Sequence, residues 1–233
     1  MNIKLLDKLV KNGNCFDKMN CVDLKYGLDV LVHEEGFGIR EYIASKGYCL
    51  DILVNDTSMD VRREVAKQGY GLNILVHDEE PAVRIEVARH GYGLDILIND
   101  TDPRALVEVA RQGYGLDKLV NDKSWVVRAV VAQQGYSLDT LIHDSSAGVR
   151  KAVAKQGYGL NILIHDKDAR VRESVADQGY GLNVLMNDEN FLVRMAVAKQ
   201  RYGLDVLIND EDGYVRAYAL ENMDISTRMK TNS

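Results

Sequence analysis

"DTSMDVRREVAKQGYGLNILVH", residues 56–77, contains two amphipathic patterns joined by a Gly-Tyr-Gly turn. Val61 and Val65 are four residues apart, which is the spacing of one helical face and not the alternation of a strand. Leu72 and Leu75 start a second apolar face, which is long enough for only about two turns. The stretch therefore predicts a long α-helix followed by a short helix of either α or 3-10 type.

The same unit recurs along the chain with a fixed period. One tyrosine marks each unit, always 22 residues after the last: Tyr26, Tyr48, Tyr70, Tyr92, Tyr114, Tyr136, Tyr158, Tyr180 and Tyr202. Leu6 and Leu9 fall in register with Leu28 and Leu31, so the phase extends to the start of the sequence. A fixed period of this length is typical of a solenoid, in which each unit stacks only on its neighbours. We therefore predict an all-α superhelix of about ten two-helix repeats.

The repeats predict a single domain. We expect one solenoid over residues 1–223, in which residues 1–25 form a degenerate N-terminal cap because 13–25 lack the VRxxVA signature. Residues 202–223 end in VRAYALEN and are expected to form the C-terminal cap, since the last repeat of a solenoid must stop exposing its stacking face. Residues 224–233, DISTRMKTNS, are expected to form a flexible tail.

Equivalent positions of successive repeats, which we call columns, also predict where each long helix begins and ends. Ser58 and its equivalents are mostly Ser, Asp or Asn, which favour the N-cap, and the next column contains Pro81 and Pro103, which suit the first helical position. Gly69 and its equivalents are expected to end the helix in the left-handed conformation, with Tyr70 packing back on the last turn. Gly-Tyr-Gly follows a helix and lacks the spacing of a phosphate loop, so we interpret it as a turn.

The short segment has one alternative interpretation. The pattern LxxLxN also occurs in strand-forming leucine-rich repeats of similar length. Against a strand, the second leucine pair of that motif is missing and half of each unit has strong helical spacing. The pattern therefore favours two helices in each unit and leaves a strand as the alternative.

The run NDTSMDVRREVAKQGYGLNILVHD, residues 55–78, resembles the leucine-rich repeat variant family and the wider HEAT-like group of helical repeats. The resemblance covers nearly the whole chain and implies a right-handed superhelix of alternating α and short 3-10 helices. The chain departs from that family in its 22-residue period and in having Gly-Tyr-Gly where prolines are usual. The founding type carries an iron–sulfur region, but only Cys15 and Cys21 lie near the start here, too few for a four-thiolate cluster. We therefore expect no cofactor.

Two charged columns run through the repeats, and we call them together the charge ladder. The acidic column contains Glu34, Asp56, Asp78, Asp100, Asp122, Asp144, Asp166, Asp188 and Asp210. The basic one contains Arg40, Arg62, Arg84, Arg128, Arg150, Arg172, Arg194 and Arg216. The resemblance implies a structural role, in which each guanidinium bonds to a carboxylate or to carbonyls of its own and the neighbouring repeat. A phosphate-binding stripe is the alternative.

One position of the charge ladder is missing. Leu106 stands where the other repeats have arginine. Arg104 is two positions early and is a candidate to substitute by reaching back. If it does not, we expect Asp100 to be an unpaired carboxylate.

Composition narrows the classes of function. The formal net charge of −6 disfavours a general electrostatic grip on nucleic acid or on an anionic membrane. No apolar run is long enough to span a membrane and the N-terminus lacks a signal-peptide pattern, while Cys15, Cys21 and Cys49 fit neither a disulfide framework nor a zinc motif. We expect a cytoplasmic protein with free thiols.

No catalytic or metal site stands out from the repeat. Recurring polar residues are explained by the fold, and no nucleophile is accompanied by a base and an orienting group. His33, His77, His143 and His165 share one column, but residues in phase lie about 10 Å apart if the units stack at the usual interhelical distance, too far to share a metal. We expect neither an enzyme nor a metal protein.

Positions that vary between repeats are the candidates for binding. Large apolar residues occupy the first two helical positions of several repeats, and we call these the helix-start edge: Phe37, Met59, Trp125, Val126, Phe191, Leu192 and Tyr214. Local packing explains such residues equally simply, but aromatic residues are also enriched at interface hot spots. A basic column on the long helices contains Lys67, Arg89, Arg111, Lys155 and Lys199. An acidic edge near the helix starts contains Glu35, Glu79, Glu80, Asp102, Asp168, Glu189, Glu211 and Asp212.

These surfaces lead to three hypotheses. The first is a non-enzymatic scaffold that binds another protein along an extended face, as repeat arrays commonly do. The second is a HEAT-like module that binds nucleic acid along the basic column. The third is an inhibitor that presents its acidic edge to a nucleic-acid-binding enzyme.

Overall fold

The computed structural model describes residues 3–223 and contains twenty α-helices and no strand in that range. The prediction of an all-helical repeat is therefore confirmed, and the strand alternative is wrong for these residues. The tail expected at 224–233 lies outside the described residues.

Long and short helices alternate. The first helix, α1 (Ile3–Asn12), occupies the place of a short helix but is longer. The other short helices have four residues each: α3 (Leu28–Leu31), α5 (Leu50–Leu53), α7 (Leu72–Leu75), α9 (Leu94–Leu97), α11 (Leu116–Leu119), α13 (Leu138–Leu141), α15 (Leu160–Leu163), α17 (Leu182–Leu185) and α19 (Leu204–Leu207). The long helices are α2 (Cys15–Asp23), α4 (Phe37–Ser45), α6 (Met59–Lys67), α8 (Pro81–Arg89), α10 (Pro103–Arg111), α12 (Trp125–Gln133), α14 (Ala147–Lys155), α16 (Ala169–Asp177), α18 (Phe191–Lys199) and α20 (Gly213–Asn222).

The chain divides into two compact units, Met1–Tyr114 and Gly115–Ser233. In the first unit, α4 packs on α6, α6 on α8 and α8 on α10. In the second, α12 packs on α14, α14 on α16, α16 on α18 and α18 on α20. Within each unit, the long helices thus contact their equivalents in the next repeat, and the short helices pack beside them, which is the neighbour-to-neighbour stacking of a solenoid.

The core of each unit is built from the same columns in every repeat. In the first unit, Leu53 and Leu75 of the short helices are almost fully buried, and so are Val65 and Ala66 of α6. One apolar face of each long helix and one leucine of each short helix therefore supply the core. A single repeat could not cover these residues alone, so stability depends on stacking.

The long helices begin and end as their columns predict. Ser58 is the N-cap of α6, and at the same column the side chain of Asp168 accepts a hydrogen bond from the amide of the second helical residue. After α6, Gly69 is left-handed at φ +73°, and its N–H donates to Ala66 O at 2.8 Å. The N–H of Tyr70 donates to Val65 O at 3.4 Å, which completes a Schellman motif. Tyr70, however, stays 42 % exposed, so it covers the last turn only in part.

The short helices are α-helical. Leu75 N donates to Gly71 O at 3.0 Å and Val76 N donates to Leu72 O at 2.9 Å, the bonds between residues i and i+4 that define an α-helix. Gly71 itself is left-handed at φ +61°. Both glycines of the Gly-Tyr-Gly turn are therefore used to reverse the chain between helices.

We predict opposite effects for two glycine-to-alanine changes. Gly179 has φ +73° and open space around it, so Gly179→Ala is expected to cost about 1–2 kcal/mol of unfolding free energy through backbone strain alone. Gly38 is helical and also has open space, so Gly38→Ala is expected to add about 0.5–1 kcal/mol. Urea denaturation followed by circular dichroism measures both.

Gly179→Asn is the control, because Asn tolerates the left-handed region and should lose less than Ala. Equal destabilisation by Asn and Ala would contradict the assignment of the loss to backbone strain.

Candidate binding surfaces

Within each unit, the charge ladder joins one repeat to the next. Arg150 donates from Nε to Asp166 Oδ2 at 2.6 Å and from Nη2 to Asp166 Oδ1 at 2.8 Å. Its Nη1 donates to the backbone carbonyls of Asp144 at 2.8 Å and Ser145 at 3.2 Å. A planar guanidinium satisfies all these acceptors at once, which a lysine ammonium cannot do.

The same arrangement recurs within each unit. An arginine bonds through Nε and Nη2 to the aspartate sixteen residues later in the pairs Arg40–Asp56, Arg62–Asp78, Arg84–Asp100, Arg128–Asp144, Arg150–Asp166, Arg172–Asp188 and Arg194–Asp210. Lys18 takes the arginine's place at the start, with Nζ 2.7 Å from Glu34 Oε1. Within each unit, these interactions connect neighbouring repeats.

Each aspartate of the ladder also holds the start of a helix. Asp166 Oδ1 accepts from the N–H of Asp168 at 2.8 Å, and Asp168 is the N-cap of α16. Burial opposes ionisation of Asp166, but the hydrogen bonds from Arg150 and from that N–H outweigh it and lower its pKa. One buried carboxylate therefore fixes both the neighbouring repeat and the following helix.

The expectation that Asp100 is unpaired is wrong. Arg84 donates to both carboxylate oxygens of Asp100, at 2.6 and 2.9 Å. Arg104 does not reach back, because its exposed side chain bonds to Asp102, with Nη2 2.7 Å from Oδ2. Leu106 is buried in the first unit, whose row of arginine–aspartate pairs ends at Asp100.

Asp122, the remaining acidic member of the ladder, lies in the second unit. Its carboxylate accepts from Ser124 N at 2.7 Å, and its carbonyl accepts from Arg128 Nη1 at 2.6 Å. The row of arginine–aspartate pairs in this unit begins with Arg128 and Asp144.

The helix-start edge is exposed at every position. Its side chains have between 39 % and 76 % of their surface accessible, the highest value being that of Tyr214. Trp125 also packs locally, since a Cβ added at Gly148 would lie 2.4 Å from its ring. Phe191 lines an open groove of about 340 Å³ together with Glu189, Glu211 and Asp212. The edge thus combines local packing with apolar surface left open to a partner.

Sequence reasoning missed a second exposed apolar surface. The third residue of four successive short helices in the first unit is aliphatic and 42–48 % exposed, and we call these the aliphatic row: Val30, Ile52, Ile74 and Ile96. Each is followed directly by a buried leucine, so both belong to one apolar run in the sequence. In the second unit the same column contains Lys118 and Thr140 and then exposed Ile162, Val184 and Val206.

The aliphatic row lies among acidic and amide side chains. Asp29, Asp51, Asn73 and Asp95 precede its four members in the chain and are exposed. The segments that contain each short helix and the following loop have neither lysine nor arginine: 26–36, 48–58, 70–80 and 92–102. Beside Ile52, an open groove of about 400 Å³ is lined by residues that include His33, Glu35, Asn55 and Thr57.

The basic column is neutralised in the first unit. Lys67 pairs with Glu64, and Arg111 Nη1 lies 3.1 Å from Glu108 Oε1. Arg89 lies between two acids, at 2.8 Å from Glu86 and 3.5 Å from Glu108. Glu86 and Glu108 are buried, which the sequence did not indicate. In the second unit, Lys155 and Lys199 are exposed.

These pairs count against nucleic-acid binding along this part of the basic column. Each cation would have to leave its carboxylate partner before it could neutralise a phosphate.

No protein-family model and no curated protein matches the chain. Among residues 3–223, no group of three or more His, Cys, Asp or Glu side chains is arranged to hold a metal ion. None of the helices in that range has both the length and the apolar character needed to cross a bilayer.

We predict that Arg150→Met destabilises the protein by about 3–5 kcal/mol at neutral pH, because it leaves the buried carboxylate of Asp166 without its cation. The lowered pKa of Asp166 means that the pair stabilises the fold above the unfolded pKa of about 3.9. That contribution is lost as the pH falls through the folded pKa. The difference between wild type and variant, measured by urea denaturation, should therefore narrow below about pH 4.

Arg170→Met is the matched control, because this arginine makes an exposed pair with Asp168 at 2.7 Å. Its hydrogen bond lowers the pKa of Asp168 to about 2, yet water screens the pair, so we expect a much smaller loss of stability than in Arg150→Met. Equal losses in the two variants would contradict the structural role of the charge ladder.

Proposed function

We propose that the chain is a non-enzymatic scaffold that binds another protein along an extended face of its repeats. The observation that carries this proposal is the aliphatic row, in which four successive repeats of the first unit each leave one branched aliphatic side chain exposed at the same register. Four such side chains form a regular apolar surface, and burying it on a partner would release ordered water. A regular spacing favours a partner that is itself extended along the repeats.

The charge ladder supports a role without catalysis. The ladder aspartates whose pKa is lowered are bonded to arginines, and those bonds also connect the repeats, as for Asp56 with Arg40 and Asp188 with Arg172. A carboxylate held ionised in this way is a poor proton donor near neutral pH. The ladder residues are therefore best explained as structural contacts between repeats.

We also propose a relationship to the leucine-rich repeat variant and HEAT-like families. Three features support it: the alternation of long and short helices, the VRxxVA face in the core, and the arginine–aspartate pairs between repeats. The free thiols of Cys15, Cys21 and Cys49 support a location in a reducing compartment such as the cytoplasm.

We predict that the triple variant Ile52→Thr, Ile74→Thr and Ile96→Thr loses the partner. Thr140 occupies the same column in the second unit and is exposed, so threonine is compatible with the repeat. Loss of three apolar contacts should reduce recovery of a bound protein roughly tenfold or more. Affinity capture from native lysate with quantitative mass spectrometry measures recovery, and circular dichroism checks that the variant is folded.

Two further variants show which surface binds. Ile162→Thr, Val184→Thr and Val206→Thr make the same change in the second unit, and Trp125→Ala with Phe191→Ala changes the helix-start edge. Loss of the partner only in the last variant would move the binding site to the helix-start edge. A set of captured proteins that none of the three variants alters would contradict the proposal.

A further inference from the structure

We infer that the aliphatic row binds an extended, basic polypeptide segment with an apolar residue at every third position. This inference rests on the proposed function and specifies the chemistry of the partner. It follows from the spacing of the row, from the hydrogen-bonding groups beside it and from its charge.

The spacing of the row matches three residues of extended chain. Val30, Ile52, Ile74 and Ile96 lie at the same position of four successive repeats, and packed helices are about 8–10 Å apart. A segment in the extended polyproline II conformation has three residues per turn and rises about 3.1 Å per residue, so side chains three residues apart lie on one face and about 9 Å apart. Apolar side chains three residues apart can therefore each contact one member of the row, and about ten residues of partner span all four.

The polar groups beside the row suit an extended backbone. Asn73 precedes Ile74 in the chain, while Asn55 and His33 line the groove beside Ile52, and all three side chains are exposed. An extended segment brings N–H and C=O groups that must find partners when water is excluded, and amide side chains can both donate and accept. A helical partner has already satisfied those groups internally, so it would gain nothing from these side chains.

The charge of the surface selects a basic segment. Asp29, Asp51, Asp95 and Glu35 are exposed around the row. No lysine or arginine lies in the four segments that carry the row. Arg40 lines the groove beside Ile52, but its guanidinium is already bonded to Asp56, as Arg62 is to Asp78 and Arg84 is to Asp100. Lysine or arginine between the apolar residues of the partner would therefore meet uncompensated negative charge.

Fluorescence anisotropy with labelled synthetic peptides tests the inference on the full chain. The first peptide repeats Ile-Lys-Ser over about twelve residues. The second has the same composition, but its isoleucines stand at every second position in the N-terminal part and the lysines and serines that are left over follow them. A third places isoleucine at every seventh residue of a lysine- and alanine-rich helix. We expect the first to bind at least about tenfold more tightly than the other two.

Two variants of the protein separate the apolar and charged contributions. Ile74→Thr should weaken the first peptide about tenfold without changing the second. Asp29→Asn, Asp51→Asn and Asp95→Asn together imitate the natural Asn73 and should weaken all basic peptides, while the preference for three-residue spacing remains. Raising NaCl from about 50 to about 300 mM should have the same effect as these asparagines.

The outcomes distinguish this inference from the proposed function. Equal affinities for the first and second peptides, or preference for the helical peptide, would overturn the inference. If the inference fails in this way but substitutions in the aliphatic row still prevent capture of a native protein, the scaffold proposal stands and only the inference about the peptide is lost. A preference for three-residue spacing that disappears in Ile74→Thr supports both.

Discussion

The bond between an arginine and the aspartate sixteen residues later is the interaction on which the other features of each unit depend. The guanidinium of Arg150 binds two carbonyls at the start of its own helix and both oxygens of Asp166 in the next repeat. The carboxylate in turn accepts the N–H of the following N-cap. Neighbouring repeats are therefore fixed in register by a buried pair that is fully hydrogen-bonded, the condition under which burial of charge is tolerated.

This frame explains why the surface is free to vary. The ladder and the buried leucines hold each repeat in place, so the exposed positions of the short helices do not contribute to stacking. The same column contains Ile74 in the first unit and Thr140 in the second without a change in the four-residue helix. A chain built in this way can present different side chains on one scaffold, which is the basis for proposing a binding role.

The candidate surfaces were predictable only in part. Trp125 and Phe191 stand out in the sequence because they interrupt their columns, and they are indeed exposed. The aliphatic row was missed because Ile74 and Leu75 are adjacent aliphatic residues in one run, and only their packing separates the exposed side chain from the buried one. The acidic partners of the basic column were not foreseen: Glu86 and Glu108 lie one helical turn before Arg89 and Arg111 and form ion pairs with them.

The sequence by itself determined the period, the long and short helices, their N-caps and the left-handed glycines. These features depend on residues close together in the chain, such as Ser58 and Gly69 around α6. Only the tertiary structure decided which carboxylate each arginine binds and which apolar residue remains exposed. Asp100 pairs with Arg84 of the preceding repeat, and the aliphatic row stays outside the core, because both depend on how one repeat packs on the next.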